Sequence, residues 1–150
     1  MAHSNRGVTL IELVIVIAII GILAAIAVPS SERYVLRSHR VQATAALLAT
    51  AAAQEKFYLG CNTYTDNLVE LPTVADCADR GLGFPDGDGG TAGAQTEGGW
   101  YTITIDEADA DEFLITATAI GRQTKDTQCL EFTLDQTGTK TATSEDCWRR

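Results

Sequence analysis

An unbroken apolar run near the start of the chain limits what the protein can fold into more than any other feature. From Val8 to Val28 there are 21 residues, and among them only Thr9, Glu12 and Gly21 are not plainly apolar. A helix rises 1.5 Å per residue, so a helix of this length is roughly 30 Å long and can cross the hydrocarbon core of a bilayer. The run therefore predicts a helix that is apolar on every side and that needs an apolar environment.

One carboxylate lies a single turn into this run. A lone acid there costs on the order of 2.5–3.5 kcal/mol on insertion scales, so Glu12 is expected to have a function and a cationic partner. A plain single-pass anchor, with Glu12 close to the interface, is one interpretation. A cleaved secretory signal is another, because Ala25-Ile26-Ala27 has the small-x-small form of a cleavage site. The length of the run and the acid inside it argue against a secretory signal.

A third interpretation comes from resemblance. The segment GVTLIE at residues 7–12, followed by the apolar run and Pro29, resembles the N-terminus of type IV pilin precursors, which carry a class III signal. In that family a prepilin peptidase cuts after the glycine and methylates the new N-terminal amine. The resemblance implies a leader at 1–7, cleavage between Gly7 and Val8, and N-methylation of Val8. The family usually has Phe after the cut, but the enzyme reads mainly the glycine, so we expect processing to survive.

The resemblance also implies roles inside the apolar run. In the family's assembly model, the new amine of one subunit meets the glutamate of a neighbour in the filament core, so we expect Glu12 to set register during assembly. A buried carboxylate is tolerated only when it is well paired. Gly21 and Pro29 bracket the predicted helix break, where assembled pilins lose helical order. Gly21 equally suits a small-residue packing site in the membrane.

Charge is distributed unevenly along the chain. The net charge is −9; residues 1–40 have a balance of +2, and residues 41–150 have 7 basic and 18 acidic side chains, a balance of −11. Such an acidic head repels nucleic-acid phosphates over its bulk, so nucleic acid is an unfavourable partner. Only Arg149 and Arg150, with Lys140 and either Arg122 or Lys125, offer a basic patch. Three arginines follow the apolar run at helical spacing, namely Arg33, Arg37 and Arg40. Their spacing predicts that they lie on one solvent-exposed face of the helix.

Four cysteines lie outside the apolar run, which favours disulfides in an exported domain. Three pairings are possible. Pairing of sequence neighbours, Cys61 with Cys77 and Cys129 with Cys147, closes loops with 15 and 17 residues between the cysteines. No cysteine pair has CxxC spacing, so we expect no metal site. The segment Asp86-x-Asp88-Gly89 matches the start of a calcium loop only poorly.

The rest of the chain predicts an α+β head domain at 29–150. Apolar residues continue at helical spacing through an alanine-rich stretch, which extends the helix from about 8 to 59, and Gly60 is the expected stop. Residues 60–99 are predicted to be loops, with eight glycines between Gly81 and Gly99. Four alternating segments, at 100–105, 113–119, 129–134 and 139–143, predict an antiparallel meander over 100–148. Its expected helix-facing side chains are Trp100 or Tyr101, Ile103, Ile105, Leu114 and Phe132.

The second half of the chain extends the resemblance. GWY at 99–101, DTQC at 126–129, LDxxGxK at 134–140 and DCW at 146–148 are similar to PilE-type minor pilins. There, the cysteines that match Cys129 and Cys147 form a disulfide that holds the C-terminal loop to the sheet. The Cys61–Cys77 pair is less common in the family. The resemblance implies the type IV pilin fold, with one long helix and a meander on its C-terminal half.

The implied function is a minor pilin that is processed by prepilin peptidase and serves pilus assembly, and hence motility or adhesion. The expected partners are other pilin subunits, the inner-membrane assembly machinery and membrane lipid before assembly. The expected location is the inner membrane and then the pilus, with the head periplasmic or extracellular. Neither catalytic residues nor a cofactor are expected. A pilin that binds DNA for uptake or a surface, and a type II secretion pseudopilin, are the alternatives.

Overall fold

The computed structural model describes residues 8–69, 76–78, 80–85 and 93–149, apart from the side chains of residues 28–30. The predicted leader at 1–7 and the segment at Asp86 and Asp88 lie outside these ranges. One long helix precedes a five-stranded antiparallel sheet whose strand order follows the chain, so the predicted α+β architecture is confirmed. The elements are α1 (Leu10–Cys61), β1 (Ala94–Gln95), β2 (Tyr101–Ala108), β3 (Phe113–Ala119), the 3-10 helix η1 (Gly121–Lys125), β4 (Glu131–Asp135), β5 (Lys140–Ala142) and the 3-10 helix η2 (Glu145–Trp148).

Helix α1 begins within two residues of the predicted start and ends two residues beyond the predicted end. The hydroxyl of Thr9 accepts a hydrogen bond from the backbone N–H of Glu12 (3.3 Å), which satisfies one donor of the first turn. The helix passes Gly60 and ends at Cys61, because Asn62 adopts a left-handed conformation (φ 54°) and its N–H bonds to the carbonyl of Tyr58 (2.8 Å). Asparagine tolerates this conformation better than most residues, and here it supplies the stop that we expected from glycine.

The chain divides into two compact units, one up to Val35 and one from Leu36 onwards. We call residues 8–35 the assembly segment and the residues from Leu36 onwards the head. Within the head, one stripe of α1 is buried, and its members recur at helical spacing. These residues are Ala43, Leu47, Thr50, Gln54 and Phe57.

The sheet covers this stripe with alternating residues of β2, β3 and β4. Tyr101, Ile103 and Phe132 are buried as predicted. Leu114 was wrongly placed in the core: it is half-buried, and the buried residues of β3 are Phe113, Ile115, Thr116, Ala117 and Ala119. Successive side chains of a strand lie on opposite faces of the sheet, and Phe113, Ile115, Ala117 and Ala119 form the core face of β3, so Leu114 lies on the other face.

Strand β1 lies in the glycine-rich stretch that we predicted to be only loop. Its two residues, Ala94 and Gln95, pair with Ile103 and Thr102 of β2. Gly93 precedes it with φ 79°, and a Cβ at that position would overlap the carbonyl of Ile103. The glycine thus allows the close approach of two backbones. A two-residue strand has no alternating pattern, so sequence periodicity does not reveal it.

Candidate functional site

The assembly segment is an apolar helical surface. An 18-residue stretch of α1 near the N-terminus is long and apolar enough to cross a membrane, and none of it is buried within the structure. Ile11 is 64% exposed and Ile22 is also 64% exposed, and their neighbours are similar. Exposed apolar surface of this extent marks a region that contacts lipid or another protein. The exposed large apolar residues from Val8 to Ile26 are Val8, Leu10, Ile11, Leu13, Val14, Ile15, Val16, Ile17, Ile19, Ile20, Ile22, Leu23 and Ile26.

Glu12 lies in the first turn of α1, among these apolar side chains. Among the described residues, no ion pair involves its carboxylate. Val8, whose amine is the predicted partner in a neighbouring subunit, is 72% exposed. Gly7 and the rest of the leader lie outside the described residues, so the predicted cleavage and methylation stay predictions. The helix runs through both Gly21 and Pro29 in this single chain; their predicted break concerns the assembled filament and stays a prediction too.

The head contains a buried polar cluster where η1 meets α1, made of His39, Arg40, Tyr101, Gln123 and Asp126. The side-chain amide of Gln123 is fully buried and donates to the backbone carbonyl of Leu36 (3.0 Å) and to the Tyr101 hydroxyl (2.9 Å). Its carbonyl oxygen lies 3.0 Å from Nδ1 of His39. Because an amide oxygen only accepts hydrogen bonds, this Nδ1 carries the proton. The cluster attaches the η1 turn to the helix.

Arg40 and Asp126 form the charged part of this cluster. Nε and Nη2 of Arg40 each donate to one carboxylate oxygen of Asp126, both at 2.7 Å. Only 14% of the Arg40 side chain and 7% of the Asp126 side chain are exposed. The hydrogen bond to Asp126 raises the pKa of the Arg40 guanidinium above its ordinary value. Arg40 is therefore not on a solvated helix face, which corrects our interpretation from its spacing; Arg33 and Arg37 are exposed as expected.

Tyr101 lies at the centre of the cluster and is fully buried. Burial raises the pKa of its phenol from 10.0 to about 12, because the charged phenolate is poorly solvated there. Beside it, the ring of Trp100 stacks on the ring of His39, with centroids 4.1 Å apart and planes 9° apart. Sequence reasoning placed Tyr101 or Trp100 at the helix but missed the polar partners. Gln123 lies in a polar turn with no periodic pattern, so no sequence signal identifies it.

Both disulfides join sequence neighbours. Cys129 and Cys147 are almost fully buried and connect the turn before β4 to η2. Cys61 and Cys77 are half-buried and connect the end of α1 to the following stretch. Nη1 of Arg80 lies 3.8 Å from Sγ of Cys61. No group of His, Cys, Asp and Glu side chains within the described ranges has the arrangement of a metal site.

Exposed charges of the head lie on different elements. The exposed cations Arg122 and Lys125 are on η1. We call these two the η1 basic surface. The sequence predicted a basic patch that includes Lys140 and Arg149. Arg149 pairs with Asp146 (3.4 Å), and the Lys140 amine lies 5.3 Å from the centre of the Trp148 ring. Arg150 lies outside the described residues.

Acidic residues concentrate at the end of β2 and in its connection to β3. Asp106, Glu107, Asp109, Asp111 and Glu112 are all exposed there. The carboxylate of Asp109 accepts hydrogen bonds from the backbone N–H groups of Asp111 (2.7 Å) and Glu112 (2.9 Å), which lower its pKa. This turn is therefore strongly anionic at neutral pH, whereas η1 carries cations.

Comparison with known proteins gives two matching family models. One, described as "Type IV minor pilin ComP, DNA uptake sequence receptor", matches residues 29–133. The other, described as "Prokaryotic N-terminal methylation motif", matches residues 2–28. Together they cover the apolar run and most of the head, and they confirm the resemblance that the sequence predicted.

Curated relatives are pilins as well. The chain is 50% identical over 76 residues to the type IV major pilin protein PilA of Myxococcus xanthus, which covers 51% of this chain and 34% of the relative. It is 51% identical over 53 residues to the type IV major fimbrial protein FimA of Dichelobacter nodosus, covering 34% of each. A fimbrial protein of Pseudomonas aeruginosa is 46% identical over 56 residues, covering 37% of this chain and 36% of the relative. The chain thus spans about a third of the length of the curated relatives that it matches.

Proposed function

The chain belongs to the type IV minor pilin family described as the ComP DNA uptake sequence receptor, and from this premise we propose that it is a minor subunit of a type IV pilus. It is a type IV pilin subunit and not an enzyme. In the proposed function, the chain is cut between Gly7 and Val8, held in the inner membrane by the assembly segment, and then moved into a filament. It serves pilus assembly and through it motility or adhesion.

The exposed apolar surface of the assembly segment is the observation that carries this proposal. Fully burying one large aliphatic side chain contributes about 1.5–3 kcal/mol, and 13 such side chains are exposed from Val8 to Ile26. A surface of this kind is stable in lipid or among other apolar helices. A single-pass anchor supplies the lipid, and a filament of like subunits supplies the helices.

Glu12 gives the assembly segment its proposed specificity. A carboxylate among apolar side chains is unfavourable until a cation lies opposite it. After cleavage, the amine of Val8 in a neighbouring subunit is that cation in our proposal. This ion pair favours the one helix–helix register in which the Glu12 carboxylate lies beside the Val8 amine of the neighbouring subunit. The apolar contacts alone are compatible with several registers.

A minor rather than a major role is supported by the family model. The model described as a minor pilin matches residues 29–133, which include most of the head. The relatives named as major pilins match shorter segments, 76 and 53 residues long.

The first test is the intact mass and N-terminal sequence of the protein from a membrane fraction and a sheared-pilus fraction, without reductant. We expect a chain that begins at N-methylated Val8 in both fractions, with four cysteine hydrogens missing. Its abundance in the pilus fraction, relative to the main subunit, separates a minor from a major role. An N-terminus at Val28 or an uncut Met1 contradicts the proposed processing.

A receptor role for DNA is the second candidate, and the description of the matched family favours it. The η1 basic surface, which is Arg122 and Lys125, is the described region best suited to phosphate contacts, with the Trp100–His39 stack nearby. The balance of −11 over residues 41–150 opposes binding elsewhere on the head. DNA that binds would therefore be confined to this surface and kept from the acidic β2–β3 turn.

Filter binding tests the receptor role with the processed full-length protein in detergent and a mixed-sequence DNA duplex at low salt. We expect binding that weakens as salt rises, and a further loss of about tenfold for the variant Arg122→Gln with Lys125→Gln. Lys56→Gln is the matched control, because it removes an exposed cation from α1, outside the η1 basic surface. Absence of binding at low salt removes the DNA receptor role and leaves the pilin role intact.

A further inference from the structure

The two disulfides of the head lie in different surroundings. Cys129 and Cys147 are 1% and 2% exposed, and Cys147 lies on η2 against the sheet. Cys61 and Cys77 are only half-buried, and both neighbours of Cys77 in the chain, Asp76 and Ala78, are exposed. Thiol–disulfide exchange requires a thiolate to reach a sulfur of the disulfide. The greater exposure of Cys61–Cys77 therefore favours reaction there over reaction at Cys129–Cys147.

A cation lies beside one sulfur of the accessible pair. Nη1 of Arg80 is 3.8 Å from Sγ of Cys61. The guanidinium of Arg80 lies over the ring of Phe57 (5.9 Å), and the hydroxyl of Thr65 donates to the Arg80 carbonyl (3.2 Å). These contacts hold the guanidinium at the sulfur. Nε of Arg80 is buried without a hydrogen-bond partner in the described part of the chain.

The cation distinguishes the two sulfurs chemically. A thiolate formed at Cys61 is stabilised by Arg80, since a nearby guanidinium lowers the pKa of a cysteine thiol. A thiolate formed at Cys77 adjoins Asp76, whose carboxylate accepts from the N–H of Ala78 (3.2 Å) and does not favour a second anion. Because the thiol of lower pKa leaves faster, Cys61 is the better leaving group and Cys77 is the sulfur that is attacked.

We propose that Cys61–Cys77 is a site of thiol–disulfide exchange that accepts electrons from a reducing dithiol. The thiolate of the dithiol attacks Sγ of Cys77, the Cys61–Cys77 bond breaks, and Cys61 leaves as a thiolate beside Arg80. The second thiol of the reductant then attacks the mixed disulfide and releases Cys77. The reductant becomes a disulfide, and two electrons and two protons end on Cys61 and Cys77.

The consequence of exchange is confined to one end of the helix. Cys61 is the last residue of α1, so reduction releases the covalent tie between the helix end and Cys77. The core contacts of the sheet and the Cys129–Cys147 bond do not depend on this tie. The head therefore keeps its core while the stretch after α1 gains freedom, and this step does not depend on the proposed role in a pilus.

The test uses the full-length protein in detergent with dithiothreitol as the dithiol. Samples are alkylated at intervals and the cysteines identified by mass spectrometry. We expect Cys61 and Cys77 to be alkylated together and early, with Cys129 and Cys147 protected until the head is unfolded. The variant Arg80→Gln slows the first reduction by about three- to tenfold, Arg80→Lys restores much of the rate, and Lys56→Gln, which removes an exposed cation of α1, leaves the rate unchanged.

A monothiol identifies the attacked sulfur. Brief treatment with 2-mercaptoethanol and an acid quench should trap the mixed disulfide on Cys77. Equal reduction rates for the two pairs, a mixed disulfide mainly on Cys61, or an Arg80→Gln variant that is reduced at the rate of the unmodified protein would each overturn the proposal. Circular dichroism verifies that Arg80→Gln is folded; if it is not, Arg80→Lys and Arg80→Met carry the same comparison of a retained and a removed charge.

Discussion

Ile15 and Leu47 lie on the same helix, yet Ile15 is 53% exposed and Leu47 is fully buried. The carboxylates of the two regions differ in the same way. Asp126 of the head has two hydrogen bonds from Arg40, whereas Glu12 of the assembly segment has no ion pair among the described residues. The head thus satisfies its apolar and charged groups within one chain. The assembly segment leaves its apolar side chains exposed within one chain, and in the proposed function lipid or another subunit covers them.

The largest expected effect comes from removing Glu12. In Glu12→Ala, we expect incorporation into filaments to fall by at least about tenfold, because the neighbour's amine then lies in an apolar core without a partner. The measurement is the ratio of this subunit in sheared pili to that in the membrane. Thermal unfolding of the head should not change, since Glu12 lies outside it.

The matched control removes an exposed acid of the head. Glu107→Ala should incorporate like the unmodified protein, because its carboxylate is in solvent. Normal incorporation of Glu12→Ala with normal register would contradict the proposed pairing. It would leave Glu12 as a tolerated residue of a plain anchor.

Replacing the paired acid, Asp126, should have a different effect from Glu12→Ala, because it should lower the stability of the head. Asp126→Asn leaves the half-buried guanidinium of Arg40 without its carboxylate, and we expect the free energy of unfolding to fall by about 2–4 kcal/mol. Asp146→Asn breaks the exposed pair with Arg149 and should cost about 0–1 kcal/mol. Denaturant unfolding of both variants measures the difference.

A double variant sharpens this result. Arg40→Met with Asp126→Leu removes both charges, so the loss should be smaller than that of Asp126→Asn alone. The amide of Gln123 also donates to the Asp126 carboxylate (3.3 Å). A double variant that is as unstable as the single one would show that this hydrogen bond matters more than the pair with Arg40.

These comparisons also show which features were predictable from the sequence. The apolar run and the alternating strands repeat at a fixed period, so α1, β2, β3 and β4 were predicted to within a few residues. The partner of Arg40 is 86 residues away in a polar turn, and no local pattern connects them. Leu114 was misplaced because β3 is apolar or small at almost every position, so its sequence does not show that the odd-numbered residues form the core face. Function in the assembly segment was inferred from resemblance, since the partners proposed for its groups lie outside this chain.

A third prediction concerns alkaline pH and the buried phenol of the head. The native state keeps the Tyr101 proton up to a pKa of about 12, whereas the unfolded chain loses it near 10. The native state therefore binds more protons in this window, and the free energy of unfolding should fall by about 1.4 kcal/mol per pH unit above pH 10. Below pH 10 this contribution is fully present.

The variant Tyr101→Phe tests the assignment. We expect it to be less stable at pH 8 by about 0.5–1.5 kcal/mol, because Gln123 loses one acceptor, and to show a shallower decline above pH 10. Tyr64, whose pKa is also raised by burial, leaves a residual slope. Tyr34→Phe, at an exposed position of the assembly segment, is the control. An unchanged slope in Tyr101→Phe would assign the decline to other groups.

The smallest expected effect returns to the assembly segment. A Cβ added at Gly21 meets no atom within 4 Å in the single chain, so Gly21→Ala should leave the monomer intact and favour its helix by about 0.8–1.0 kcal/mol. If Gly21 marks the helix break of the assembled filament, the variant should incorporate normally but give filaments that stretch less under force. Ala18→Gly, which changes propensity in the opposite direction on the same segment, should not stiffen them. A severalfold loss of incorporation in Gly21→Ala, with unchanged stretching, would instead make Gly21 a site of close helix packing, because only a neighbouring helix can then occupy the space that is open in one chain.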